Sequence, residues 1–172
     1  MTTHQKIEIR KATPGDIPAI AAITHEAFDK YARDLGQPEK VQALTERPED
    51  IARDLAVKTI LFATLDGEPA GSIRYEVLPS GIAYISRFGV KLIAQSCGVG
   101  GRLVEAVAHD CAQRGIEAVA LHTSARMASL VRFYYSHGFY IHSTEFSRGY
   151  VRALLVRALN ERALEFDFDK MV

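Results

Sequence analysis

The order of apolar periodicities along this chain predicts an α/β fold in a single domain, a mixed, mostly antiparallel sheet flanked by helices. Three observations carry this. The strand-like runs Thr59 to Leu65, Ala70 to Val77 and Ile82 to Val90 follow one another across short turns, as an antiparallel meander does. A glycine-rich segment, Gln95 to Gly101, then opens a helical stripe. A short apolar run, a second helical stripe and two further strands complete the order.

The elements follow from the N-terminus. Ile7 to Arg10 alternates apolar and charged residues, as a half-buried strand does. Thr13-Pro14-Gly15-Asp16 reads as a helix start, with Thr13 as cap, Pro14 in the first turn and Asp16 as the reciprocal acid. Ile17, Ile20, Thr24, Ala27, Phe28 and Tyr31 then lie on one helical face, and Gly36-Gln37-Pro38 ends the run. Pro48 to about Val57 predicts a shorter helix, with Ile51 and Leu55 one turn apart. Asp66-Gly67 and Pro79-Ser80-Gly81 divide the meander. Leu103, Val104, Val107, Ala108 and Cys111 mark the helix after the glycines, closed by Arg114-Gly115. Ile116 to Leu121 reads as a buried strand, and Met127, Leu130, Val131 and Tyr134 as a helix closed by His137-Gly138. Phe139 to Ser143 and Tyr150 to Val156 are the last strands. The domain is expected to span residues 1–172, with a core over about 7–158 and an unassigned tail from 159 to 172.

Composition narrows the function classes. The 172 residues suffice for one core, and 48% hydrophobic with 24% charged residues is ordinary for a soluble protein. Twenty-one basic residues balance 21 acidic ones, so no footprint for nucleic acid is expected. No apolar stretch approaches bilayer length and the first residues carry no signal-peptide core, which predicts a cytoplasmic protein without a membrane partner. Cys97 and Cys111 lie in no metal-ligand spacing, so neither a disulfide framework nor a metal site is expected.

Gln95-Ser96-Cys97-Gly98-Val99-Gly100-Gly101 carries the most chemistry. Glycines at a helix mouth let unpaired N–H groups approach an anion, and the helix dipole favours negative charge there. Three glycines in four positions exceed what a turn requires. A dinucleotide fingerprint would place its third glycine where Leu103 stands, and a triphosphate loop would need Gly-Lys-Ser/Thr where Gly101-Arg102-Leu103 stands.

The remaining form, Gln-x-x-Gly-x-Gly after a meander and before a long helix, resembles the pyrophosphate loop of the GNAT family of N-acetyltransferases. Gln95, Gly98 and Gly100 occupy its three positions, and Tyr134 stands four residues before Gly138-Phe139 as in relatives. The resemblance covers nearly the whole chain. It implies an acetyltransferase-type fold and acetyl-coenzyme A as cosubstrate, with no metal. The pyrophosphate would lie on the amides of 96–101, that is Ser96, Cys97, Gly98, Val99, Gly100 and Gly101, with Arg102 nearby. Phe88-Gly89-Val90 would present backbone groups to the pantetheine arm and polarise the thioester carbonyl. Gly89 inside a strand suggests a bulge or a close ligand approach. Many relatives carry Asn where this chain has Met127.

The resemblance makes Tyr134 the candidate general acid for the departing thiolate, with Tyr135 as fallback. Glu76 and His122 are the candidates for general base. Tyr84-Ile85-Ser86-Arg87 lacks the carboxylate some relatives place there, which leaves a water-relayed route open. Cys97 has no neighbouring His in sequence to activate it as a nucleophile. The expected reaction is acetyl transfer to a primary amine by direct attack; transfer of a larger acyl group and a non-catalytic coenzyme A sensor or partner-binding domain are the alternatives. The acceptor, a small-molecule or peptide amine, is expected to be shaped by residues 29–56 and the last strands. Residues 29–56 hold seven acidic and five basic side chains, which barely favours a cationic acceptor. The strand Tyr150 to Val156 offers a route to a homodimer.

Overall fold

A computed structural model describes residues 4–171; Met1–Thr3 and Val172, the last residue of the tail, lie outside the described residues. The strands are β1 (Ile7–Lys11), β2 (Thr59–Leu65), β3 (Glu68–Val77), β4 (Ala83–Val90), β5 (Ala118–Ser124), β6 (Tyr140–Ser147) and β7 (Tyr150–Ala158). The helices are α1 (Ile17–Leu35), α2 (Pro48–Val57), α3 (Val99–Gln113) and α4 (Ala128–Ser136). The reciprocal acid forms as read, the Asp16 carboxylate accepting the Thr13 N–H at 2.8 Å with Arg10 gripping it at 2.6 and 2.8 Å. Pro14–Asp16, however, is a short 3-10 turn, and α1 itself starts at Ile17, one turn later than expected.

Strands β5 and β6 begin later than periodicity predicts, for one physical reason. The Ile116 N–H donates to the Cys111 carbonyl at 3.0 Å, with Gly115 at φ 72°, so Ile116 belongs to the C-cap of α3. In the same way the Phe139 N–H donates to the Tyr134 carbonyl at 3.0 Å and closes α4. At the far end of β6, Arg148 (φ 55°) and Gly149 (φ 84°) both adopt the left-handed region that a two-residue hairpin requires.

The sheet order is β1-β2-β3-β4-β5-β7-β6, antiparallel throughout except for the parallel pair β4–β5. Because β7 lies between β5 and β6, both of its edges are occupied. The Tyr150–Val156 strand therefore cannot pair across a dimer, contrary to expectation, and the exposed edge there is β6.

Each face of the sheet has its own cover. On one face Ile73, Tyr75, Ile85, Val119, Leu121 and Leu155 pack against Val99, Leu103, Val107 and Cys111 of α3 and Tyr134 of α4. On the other, Ile60 and Phe62 pack against Ile20 and Ile23 of α1 and Ile51 of α2. The tail left unassigned by periodicity completes that second face: Ala163, Phe168 and Met171 bury themselves against Ala118, Ala120, Leu154 and Val156. No helix among the described residues is long and apolar enough to cross a membrane.

Candidate active site

The site begins with a failure of pairing at the centre of the sheet. The β4–β5 ladder consists of Ala83 opposite Val119 and Tyr84 opposite Ala120; beyond these the strands separate. The register of β3 against β4 shifts between Ser72–Gly89 and Arg74–Ser86, so that Arg87 and Phe88 together oppose Ile73. Arg87 stands at φ 49° in this bulge. A bulge bends and twists its strand, and here it swings Phe88-Gly89-Val90 away from β5. The result is a wedge through the sheet, in a cavity of about 1460 Å³ whose walls come from both faces.

Gly89 lines this cavity, but the close approach that its missing side chain permits is to a helix. A Cβ there would stand 2.9 Å from the Ala27 Cβ of α1. The bulge expected at Gly89 sits just before it, at Arg87-Phe88.

On the α3 side, Gly98 (φ 87°) caps the helix and the Arg102 N–H donates to its carbonyl at 3.1 Å. Among the described residues, the amides of Gly98, Val99, Gly100 and Gly101 donate no backbone hydrogen bond, which leaves a cradle of N–H groups at the helix N-terminus. The expected cradle is shortened at one place, because the Cys97 N–H already donates to the Ala94 carbonyl at 3.3 Å. Cys97 and the buried Val99 side chain are absent from the cavity wall, whereas Gln95, Ser96, Gly98, Gly100, Gly101 and Arg102 line it. Gln95 reaches back to the Val90 carbonyl at 3.4 Å. Packing also requires two of these glycines: a Cβ on Gly101 would stand 2.9 Å from the His137 ring, and one on Gly100 would stand 3.3 Å from Phe88.

Tyr134 reaches the wedge from α4. Its ring is buried among Phe88, Phe133 and Phe139, its residue lines the cavity, and burial raises its pKa well above the usual tyrosine value. Tyr135 faces elsewhere, half exposed, accepting the Ile141 N–H at 3.2 Å. Met127, the residue before α4, lines the cavity.

His122 enters from the opposite face. Its Nδ1 lies 2.7 Å from the Tyr84 hydroxyl, and burial with the nearby Arg152 pulls its pKa down to about 4, which keeps the ring neutral at physiological pH. Glu76, the other base candidate, is not part of the cavity wall; its carboxylate lies 3.7 Å from Lys58 Nζ. Tyr31 of α1 completes this side. Its hydroxyl accepts the Ser124 N–H at 3.1 Å, and burial pushes its pKa up to about 12.

Sequence reasoning missed an ionic cluster at the cavity wall. Arg74, fully buried in β3, binds Glu46 through both guanidinium ends at 2.6 and 2.8 Å and Asp54 at 2.8 Å, while Arg87 Nε reaches Glu46 at 3.2 Å. Its one sequence signal is a charge flanked by Ile73 and Tyr75 in the middle of an apolar strand. Among the described residues no group of three or more His, Cys, Asp or Glu is placed to hold a metal.

The comparisons with known proteins agree with this architecture. The chain matches no curated protein sequence. Its fold is similar to that of the PaiA N-acetyltransferase from Thermoplasma acidophilum in complex with coenzyme A, at 18% identity and a TM-score of 0.79 over 89% of this chain and 99% of that one. It is also similar to the ribosomal-protein-S18-alanine N-acetyltransferase from Escherichia coli, at 18% identity and a TM-score of 0.72 over 90% and 95%. An N-acetyltransferase from Staphylococcus aureus Mu50 follows at 16% identity and a TM-score of 0.74 over 90% and 99%. The family model described as the Acetyltransferase (GNAT) family matches residues 21–139, most of the chain from α1 to the close of α4, and the chain belongs to that family.

Proposed function

We propose that this protein transfers an acetyl group from acetyl-coenzyme A to a primary amine, with the thioester placed in the wedge between β4 and β5. The observation that carries the reading is that one cavity joins the amide cradle at α3, the buried Tyr134 and the neutral His122 from opposite faces of the sheet. The free amides of Gly98 to Gly101 suit a pyrophosphate, with Ser96 and Arg102 at its rim. The unpaired edge of Phe88-Gly89-Val90 suits the amide-bearing pantetheine arm, as an added strand would, and offers N–H groups to the carbonyl oxygen as it gains charge.

In the reaction the amine nitrogen bonds to the thioester carbon, the carbon–sulfur bond breaks, and the thiolate takes a proton. Tyr134, kept protonated by burial, supplies that proton. The amine arrives as an ammonium ion and releases two protons over the cycle: one replaces the Tyr134 proton and the other passes to solvent. With a pKa of about 4, His122 is a neutral imidazole at neutral pH and does not store the amine's proton as an imidazolium; together with the Tyr84 hydroxyl it acts as a relay to water. His122 is preferred to Glu76 because it lines the cavity. The proposal includes a cytoplasmic location, on the ground that the cosubstrate is an intracellular thioester.

The test is amine-dependent chemistry. Incubation with acetyl-coenzyme A and a panel of primary amines is expected to yield free thiol and N-acetyl product in equal amounts. Binding of acetyl-coenzyme A without amine-stimulated thiol release would instead make the chain a coenzyme A-binding domain without catalysis.

A further inference from the structure

The charges lining the cavity do not balance locally. Its carboxylates have cationic partners: Glu46 and Asp54 hold Arg74, Asp50 pairs with Arg53, Asp34 with Lys30, and Glu105 with Arg157. Around the β6–β7 hairpin the balance reverses. Arg148, at the exposed turn, forms no ion pair among the described residues. Arg152 is 11% exposed, and its buried Nε has no hydrogen-bond partner among the described residues. Its Nη1 lies 3.4 Å from Ser147 Oγ and 3.7 Å from Glu145, and its guanidinium also bears on the Tyr84 hydroxyl; Glu145, which also lies 3.7 Å from His122 Nε2, is half exposed and is not part of the cavity wall. Lys40 adds a third cation: its side chain folds over the same turn, its Nζ 3.3 Å from where a Cβ on Gly149 would stand. All three cations line the cavity, as do the Tyr84 and His122 pair beside them.

Strand register brings this cluster to the reaction centre. Arg152 pairs with Ser124 at the end of β5, two residues beyond His122, and so shares a face of the sheet with it. Both Arg152 and Arg148 act on the charge of the Tyr84 hydroxyl and the His122 ring.

We infer that the acceptor is a primary amine bearing a carboxylate a few bonds from its nitrogen, an amino-acid-like substrate whose carboxylate binds Arg152, Arg148 and Lys40 while the amine faces His122. This rests on the acetyl-transfer reading and names its acceptor class. A carboxylate supplies the partner that the buried Arg152 Nε lacks among the described residues and replaces long contacts at its Nη1, and such charge-assisted bonds are the stronger kind. The acid-rich count over residues 29–56 misleads here, because its Glu46 and Asp54 are occupied by Arg74.

The test is equilibrium binding to the protein loaded with coenzyme A, by titration calorimetry. The probes are L-phenylalanine, L-methionine and L-glutamate, each compared with its carboxamide and its decarboxylated amine, and peptides with an acidic or a neutral first residue. The expected result is that the acid binds tenfold or more tighter than its amide, and that Arg152→Met and Arg148→Asn each erode this preference; Asn tolerates the turn's left-handed backbone. Arg148 is exposed, so its variant reports even if Arg152→Met fails to fold. A preference confined to acidic peptides would assign the carboxylate to a peptide side chain instead of a free amino acid, within the same class. Equal binding of acids and amides, or a preference that survives both substitutions, overturns the inference. Carboxylate-dependent binding without thiol release from any amine would overturn the transfer reading and leave this site standing; fastest turnover of decarboxylated amines would do the reverse.

Discussion

The two sides of the wedge are built in opposite ways. The side proposed to hold the cofactor is backbone: a helix N-terminus with free amides and a bulged strand with an unpaired edge, both formed by residues between 87 and 101. The side proposed to hold the acceptor is side chains gathered from α1, the α1–α2 connection, α2, β3, β4, β5 and the β6–β7 hairpin, and its central bonds span long stretches of chain. Arg74 meets partners 28 and 20 residues away, and Tyr84 meets His122 across 38. A local backbone device needs only a few glycines and one bulge, whereas the long-range assembly depends on side chains that hold one another in place, so a change to one disturbs the rest.

The comparison can be broken at its most connected point. Arg74→Met leaves Glu46 buried without its principal cation, and removing one partner of a buried pair costs roughly 3–5 kcal/mol. Urea denaturation should show a loss of that size, partly restored by adding Glu46→Gln. A loss under about 1 kcal/mol would mean that the acceptor side is not a coupled network.

A smaller effect tests where the two sides touch. Gly89→Ala forces a methyl against Ala27, and overpacking of this kind costs roughly 1–3 kcal/mol. Combining it with Ala27→Gly should destabilise less than the sum of the two single changes. Strict additivity would show that the contact between α1 and β4 carries no strain.

How much of this was legible in the sequence follows the same division. The α2 and β2 boundaries, the meander and the helix mouth at Gly98 came from local periodicity and turn chemistry, which act within a few residues. The starts of β5 and β6 were misplaced because Ile116 and Phe139 are apolar like strand residues yet close the preceding helices. The contact of Gly89 with α1 has no signal in β4, because the close approach of Ala27, on a helix far earlier in the chain, cannot be inferred from the strand alone. Arg74, Arg148 and Arg152 went unassigned because neither a buried ion pair nor an idle guanidinium has a local signature; each is defined by what folding brings beside it, or fails to bring. Tyr134 was legible through its spacing from Gly138-Phe139, although spacing alone could not separate a core tyrosine from one that also reaches a cavity.

Tyr134 is also where the two sides meet, so it gives the most direct test of acetyl transfer within the wedge. Wild type and Tyr134→Phe should be compared for amine-dependent thiol release from acetyl-coenzyme A, with acetyl-coenzyme A affinity measured alongside. The account predicts that kcat falls roughly 100- to 10,000-fold while affinity stays within a few-fold, since only the proton donor is lost. Unaltered kcat in the Tyr134→Phe protein would contradict it.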